Sequence, residues 1–229
     1  MRTISILILL MVSSLCDAQY SNHQLYQAYL ERDMHVWQEY IASADWGNLS
    51  VEEQIQLLNY EYGFTAYMLG QNEEEAHKQI LRYEQHLESL KGELSESRYF
   101  AYLSSVYTYK LGLDKKHLMK YASGIFDNIK RAIELDNNDA LACSMQGNVE
   151  FYSPFGSKKK ALAYYQRADS LYQEGAKEYE QWNRCAVQLT MVQCLIKQEK
   201  KKEAKRLCEQ YIAKEPAFEL MKQLLKQCD

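Results

Sequence analysis

A chain of 229 residues is long enough to bury one sizeable core or to hold several short repeats. It is 47% hydrophobic and 25% charged, and its formal net charge of −4 argues against nucleic acid as a partner, because binding a polyphosphate needs a clear excess of Lys and Arg. Only 2 prolines and 9 glycines punctuate the chain, which favours long uninterrupted helices, while 19 tyrosines stand well above ordinary use.

The N-terminus reads as an export signal. Arg2 precedes the apolar run from Ile4 to Val12, which is too short for a bilayer span of roughly 20 apolar residues. Small residues Cys16 and Ala18 then mark a cleavage site after Ala18, leaving Gln19 first. In a second reading Cys16 is the acylated first residue of a lipoprotein, although Leu15 stands where such signals carry a small residue. Export implies an oxidising compartment, in which disulfides persist. Cys143, Cys185, Cys194, Cys208 and Cys228 follow the signal, an odd set that cannot pair completely. Cys194 and Cys208 fall on consecutive predicted helices and are the pair placed for a bridge. Otherwise the five belong in the core as small apolar side chains.

The chain then reads as ten helices. Residues 21–44 carry Leu25, Tyr29, Leu30, Trp37, Tyr40 and Ile41 at helical spacing and predict one helix, broken by Trp46-Gly47-Asn48. Ser50 with Glu53 is a capping box opening a helix that runs to about Leu69, where Gly70-Gln71-Asn72 stops it. Residues 73–91 start with three glutamates, which suit the positive end of a helix dipole. After Gly92 come predicted helices at 95–111 and 115–135, then the turn Asp136-Asn137-Asn138. Helices at 139–152 and 157–174 flank Ser153-Pro154-Phe155-Gly156. The last are 177–198, 201–214, which stops ahead of Pro216, and a short 217–227. No strand period competes, so the fold class is all-α.

The helices pair, and the pairs resemble tetratricopeptide repeats. Ala161, Tyr165 and Ala168 match that family's second-helix pattern, and Ala204, Cys208, Tyr211 and Pro216 fill the same frame with two replacements. Tyr60, Tyr67, Ala76, Ile80 and Tyr83 repeat it earlier, Arg131 to Asn137 resembles a repeat end, and Gly147 sits at the first-helix glycine position. The anchors Tyr83, Ala132, Ala168 and Tyr211 lie 49, 36 and 43 residues apart, wider than the family's 34. The resemblance implies an α-α superhelix of hairpins at 51–91, 95–135, 139–174 and 177–214, with an extra N-terminal helix and a capping helix at 217–227.

Chemistry-bearing patterns are sparse. The histidines form no His-Glu-x-x-His, no Cys-x-x-Cys supports zinc, and neither a P-loop nor Gly-x-Ser-x-Gly occurs, so no catalytic residue, metal site or cofactor is assigned. Glu73-Glu74-Glu75 reads as a helix start and Lys197 to Arg206, with its interspersed glutamates, as a solvated surface. The resemblance implies a concave groove lined by the first helix of each hairpin. In frame, its positions are Glu61, Thr65, Ser144, Asn148 and Gln193, with Phe155 as an aromatic on the rim. The expected function is a non-catalytic scaffold of the cell envelope, in a Gram-negative periplasm, with a protein or peptide partner. An outer-membrane-assembly lipoprotein or a helical-fold enzyme acting on glycans is the alternative. Asn48-Leu49-Ser50, a glycosylation sequon, keeps a eukaryotic secretory origin open.

Overall fold

The structure, a computed structural model, describes residues 20–228, so the export signal, its cleavage site and Cys16 lie outside the described residues. Among the described residues every long element is an α-helix: α1 Asn22–Glu31, α2 Met34–Ser43, α3 Val51–Met68, α4 Glu73–Ser89, α5 Glu96–Leu113, α6 Leu118–Leu135, α7 Ala140–Tyr152, α8 Lys158–Gly175, α9 Gln181–Lys197, α10 Lys201–Lys214 and α11 Glu219–Leu225. Consecutive helices pack as hairpins, α3 with α4, α5 with α6, α7 with α8 and α9 with α10, and each hairpin packs on the next. No described helix is long and apolar enough to cross a membrane.

Local sequence sets the boundaries. Ser50 Oγ accepts from the Glu53 amide while Glu53 Oε2 accepts from the Ser50 amide, the reciprocal cap that the spacing predicts. Asn72, Ser95, Asp139 and Ser157 cap α4, α5, α7 and α8 in the same side-chain-to-backbone way. Gly92 turns the chain at φ 97°, a left-handed conformation that other residues adopt only with strain. Of the positions matched to repeat frames, Ala76, Tyr83, Ala132, Ala161, Tyr165, Ala168, Ala204 and Cys208 are fully buried, whereas Tyr67 and Pro216 are exposed.

The N-terminal segment departs from expectation. Residues 21–44 form two helices, because Arg32 takes a left-handed conformation at φ 66° and Asp33 caps the next helix by accepting from the His35 amide. Apolar periodicity does not see this break, since both halves keep their apolar stripe. The turn folds α2 back along α1, and α1 then packs on α9 and α11. The helix expected to begin at 115 starts with a 3-10 turn over Lys115–His117, and 177–180 precedes α9 as another over Glu178–Glu180.

The stack therefore closes on itself, with the first and last helices in one core. Trp37 meets Trp182 edge-on with centroids 5.1 Å apart, and Trp37 Nε1 donates to the Leu25 carbonyl at 2.7 Å. Both indoles press on Gly63 of α3, where an added Cβ would lie 2.6 Å from Trp182 and 2.7 Å from Trp37. Beside them, Asn59 of α3 donates to the Tyr179 carbonyl at 3.0 Å and to Asn183 Oδ1 at 2.9 Å, while accepting from the Tyr102 hydroxyl at 3.0 Å. Every member is buried, so this network ties α3, α5 and α9 with no spare polar atom at Asn59.

Two stability measurements check the closure. Gly63→Ala forces the tryptophans apart and is expected to cost about 1–3 kcal/mol, read from the urea midpoint at unchanged slope. Asn59→Leu strands the Tyr102 hydroxyl and the Asn183 amide in apolar surroundings and is expected to cost roughly 2–4 kcal/mol by the same assay.

Candidate functional site

The helix that begins each hairpin contributes one open face. On α7, Ser144, Asn148 and Tyr152 recur every four residues and therefore line one side of the helix. Ser144 and Asn148 are half-buried, and Tyr152 is 69% exposed. Across from this face, the Tyr165 hydroxyl of α8 donates to Asn148 Oδ1 at 2.7 Å, fixing the amide. Gly147 makes the approach possible, because a Cβ there would lie 2.6 Å from the Tyr165 ring.

Tyr152 is the most exposed residue of this face. Its ring is mostly solvent-accessible, yet surrounding protein raises its hydroxyl above the usual phenol range through desolvation, with the Cys194 thiol adding to the shift. Tyr62 of α3 is half-buried, and burial followed by the nearby Tyr152 raises its hydroxyl as well. Tyr165 is raised by burial, then by Tyr152 and Cys194. Three tyrosines from three helices thus share one electrostatic neighbourhood. Behind Tyr62 lie Tyr102, Tyr109 and Trp182, with centroids 5.8, 6.1 and 5.8 Å away, so its ring is braced on three sides. Thr190 of α9 lies beside the Tyr165 hydroxyl, and half-buried Gln193 is three residues on along that helix.

Of the expected groove residues, Ser144, Asn148 and Gln193 keep partial exposure. Glu61 and Thr65 do not, and this corrects their assignment. Glu61 is fully buried, with Oε1 3.0 Å from Arg82 Nε and Oε2 2.8 Å from His86 Nδ1 of α4. The His86 ring stacks on Trp46 at 3.7 Å, completing the cover. Thr65 is equally buried and donates to the Glu61 carbonyl at 2.6 Å. On α3 the half-buried Tyr62 lies one residue and about 100° around the helix from Glu61.

Phe155 is 94% exposed at the end of the α7–α8 turn. That turn is held: the Gly156 amide donates to the Ser153 carbonyl at 3.1 Å, the Ser157 amide to Glu150 Oε2 at 2.9 Å, and Lys158 Nζ to the Phe151 carbonyl. A separate cleft of about 350 Å³ lies between α1, α8, α9 and α10, lined by Tyr26, Arg184 and Cys185 among others. Arg184 there pairs with Asp169 at 2.8 Å and Tyr26 with Cys185 at 3.3 Å, while the buried Tyr172 hydroxyl has no hydrogen-bond partner among the described residues. Among the described residues no three His, Cys, Asp or Glu side chains gather into a metal-ligand set.

No protein-family model and no curated protein matches the sequence. The fold resembles a solved structure, the HusA haemophore from Porphyromonas gingivalis. That superposition has a TM-score of 0.56 at 15% identity and covers 79% of this chain and 96% of that one. The two chains share an arrangement of helices.

The tyrosine face separates by stability. Tyr152→Ala removes an exposed ring and is expected to change unfolding free energy by less than about 0.5 kcal/mol. Tyr62→Ala empties a braced position and is expected to cost roughly 2–4 kcal/mol, both read by chemical denaturation.

Proposed function

We propose that this chain is an exported, non-catalytic binding protein of the cell envelope, built from tetratricopeptide-like hairpins, that holds a planar tetrapyrrole against the exposed ring of Tyr152 beside half-buried Tyr62, with the buried Tyr165 behind them. The observation that carries the reading is Tyr152, a largely exposed ring with Tyr62 and Tyr165 close by. Tyrosine offers a broad apolar face and a polar edge at low entropic cost, which suits a flat apolar ring system. Ser144, Asn148 and Gln193 border the same face and supply hydrogen-bonding groups for carboxylate arms. The likeness to a haemophore agrees with this ligand class, and the short apolar run after Arg2 supports export.

Haem titrated into the chain beginning at Gln19, followed by Soret absorbance and quenching of tryptophan emission, tests the reading. Saturable binding is expected, weakened about tenfold or more in Tyr152→Ala, since loss of one stacked ring corresponds to roughly 1.4 kcal/mol. Equal binding by the wild type and the Tyr152→Ala, Phe155→Ala double variant would overturn it.

A protein or peptide partner is the second reading, favoured by Phe155. A fully exposed aromatic on a hydrogen-bonded turn is the kind of rigid anchor that interfaces use. Under that reading Phe155→Ala abolishes partner crosslinking in an envelope extract, while haem binding is absent from the outset.

A further inference from the structure

We propose that Cys208 and Cys228 are a disulfide-forming pair that staples α11 to α10 and so locks the closure of the helical stack. The five cysteines of the described chain are all buried, but they occupy different surroundings. The Cys143 thiol donates to the Asn137 carbonyl at 3.3 Å, Cys185 shares a hydrogen bond with the Tyr26 hydroxyl at 3.3 Å, and Cys194 has Lys158 and Tyr152 beside it. Cys208 has another thiol beside it: Cys228, whose Sγ donates to the Leu224 carbonyl at 3.4 Å, interacts with it in the same apolar cluster, where α10 and α11 pack together. Cys194 has Tyr152 of α7 among its neighbours, whereas Cys208 has Cys228.

The position matters because α11 is the surface on which the N-terminal segment rests. Arg32 donates to Gln223 Oε1 of α11 at 3.3 Å, and Tyr29 meets Phe218, just before α11, at 6.3 Å between centroids. Phe218 and Met221 are fully buried, so α11 cannot leave without opening the core that α1 shares with α9. A seven-residue helix otherwise opens readily, and a covalent tie removes that route.

The chemistry requires an oxidant, which is a small-molecule or protein disulfide. Burial pushes the Cys208 thiol up to about 12, so Cys208 is the poorer first nucleophile. The Cys228 thiolate, its proton passing to solvent, attacks one sulfur of the oxidant, forming a mixed disulfide and expelling the oxidant's other sulfur as a thiolate. Deprotonated Cys208 then attacks Cys228 Sγ and expels the second oxidant thiolate. Two thiols of the chain are oxidised, one disulfide of the oxidant is reduced to two thiols, and both protons end on those thiols.

Purified chain incubated with oxidised glutathione, unfolded in iodoacetamide and mapped by non-reducing mass spectrometry tests the pairing. One linked peptide joining Cys208 to Cys228 is expected, with Cys143, Cys185 and Cys194 alkylated, and thermal unfolding shifted upward by several degrees against the reduced chain. Cys228→Ser, a mild change near the chain end, should remove both the linkage and the thermal gain while leaving the fold intact. Scrambled linkage among the five, or complete alkylation of Cys208 and Cys228 after oxidation, would sink the proposal.

Discussion

The contact of Trp37 and Trp182 across Gly63 decides the shape of this molecule. A stack of helical hairpins buries its faces only against neighbours in sequence, which leaves the two terminal hairpins with an apolar side each. Here α1 and α2 fold back and carry Trp37 into contact with the first helix of the last hairpin, so both apolar sides disappear into one core. Two indoles and the surrounding Tyr29, Tyr60 and Phe218 bury a large apolar area at one point, and edge-to-face packing adds direction to it. Only a residue without a side chain fits beneath them.

Polar ties fix the register that the aromatics alone would leave loose. Arg98 of α5 reaches Asp139 at the start of α7 with Nε at 3.2 Å and Glu180 ahead of α9 at 2.7 Å, joining three hairpins through one guanidinium. Asp139 also caps α7 by accepting from the Ala142 amide at 2.8 Å, so a slide of one hairpin against another strands both a charge and a cap. Buried pairs of this kind add little net stability, because desolvation offsets attraction, but they penalise every arrangement that separates them. Asn59 with Asn183, and Glu61 with Arg82 and His86, act in the same way between other helices.

Closure also shapes the binding face. It draws α3 and α9 together through Trp37, Trp182 and the Asn59–Asn183 pair. Part of the expected groove becomes interior, as at Glu61 and Thr65. What stays open is aromatic in character with polar edges, and that composition underlies a reading in terms of flat ligands.

Helix type and helix ends were legible in the residues themselves. Apolar spacing, the Ser50 and Glu53 box, the glycine at 92 and the alanine-aromatic frames at Ala161 to Ala168 act within one or two turns of chain, and local physics settles them. Arg32 hid because a left-handed break leaves apolar periodicity intact on both sides. The tertiary structure decided whatever depends on partners distant in sequence. Trp37 finds Trp182, Asn59 finds Asn183, and Glu61 turns in against Arg82 and His86. A rotation of about 100° per residue separates a groove position from a core position, and only packing between helices sets which residue takes each.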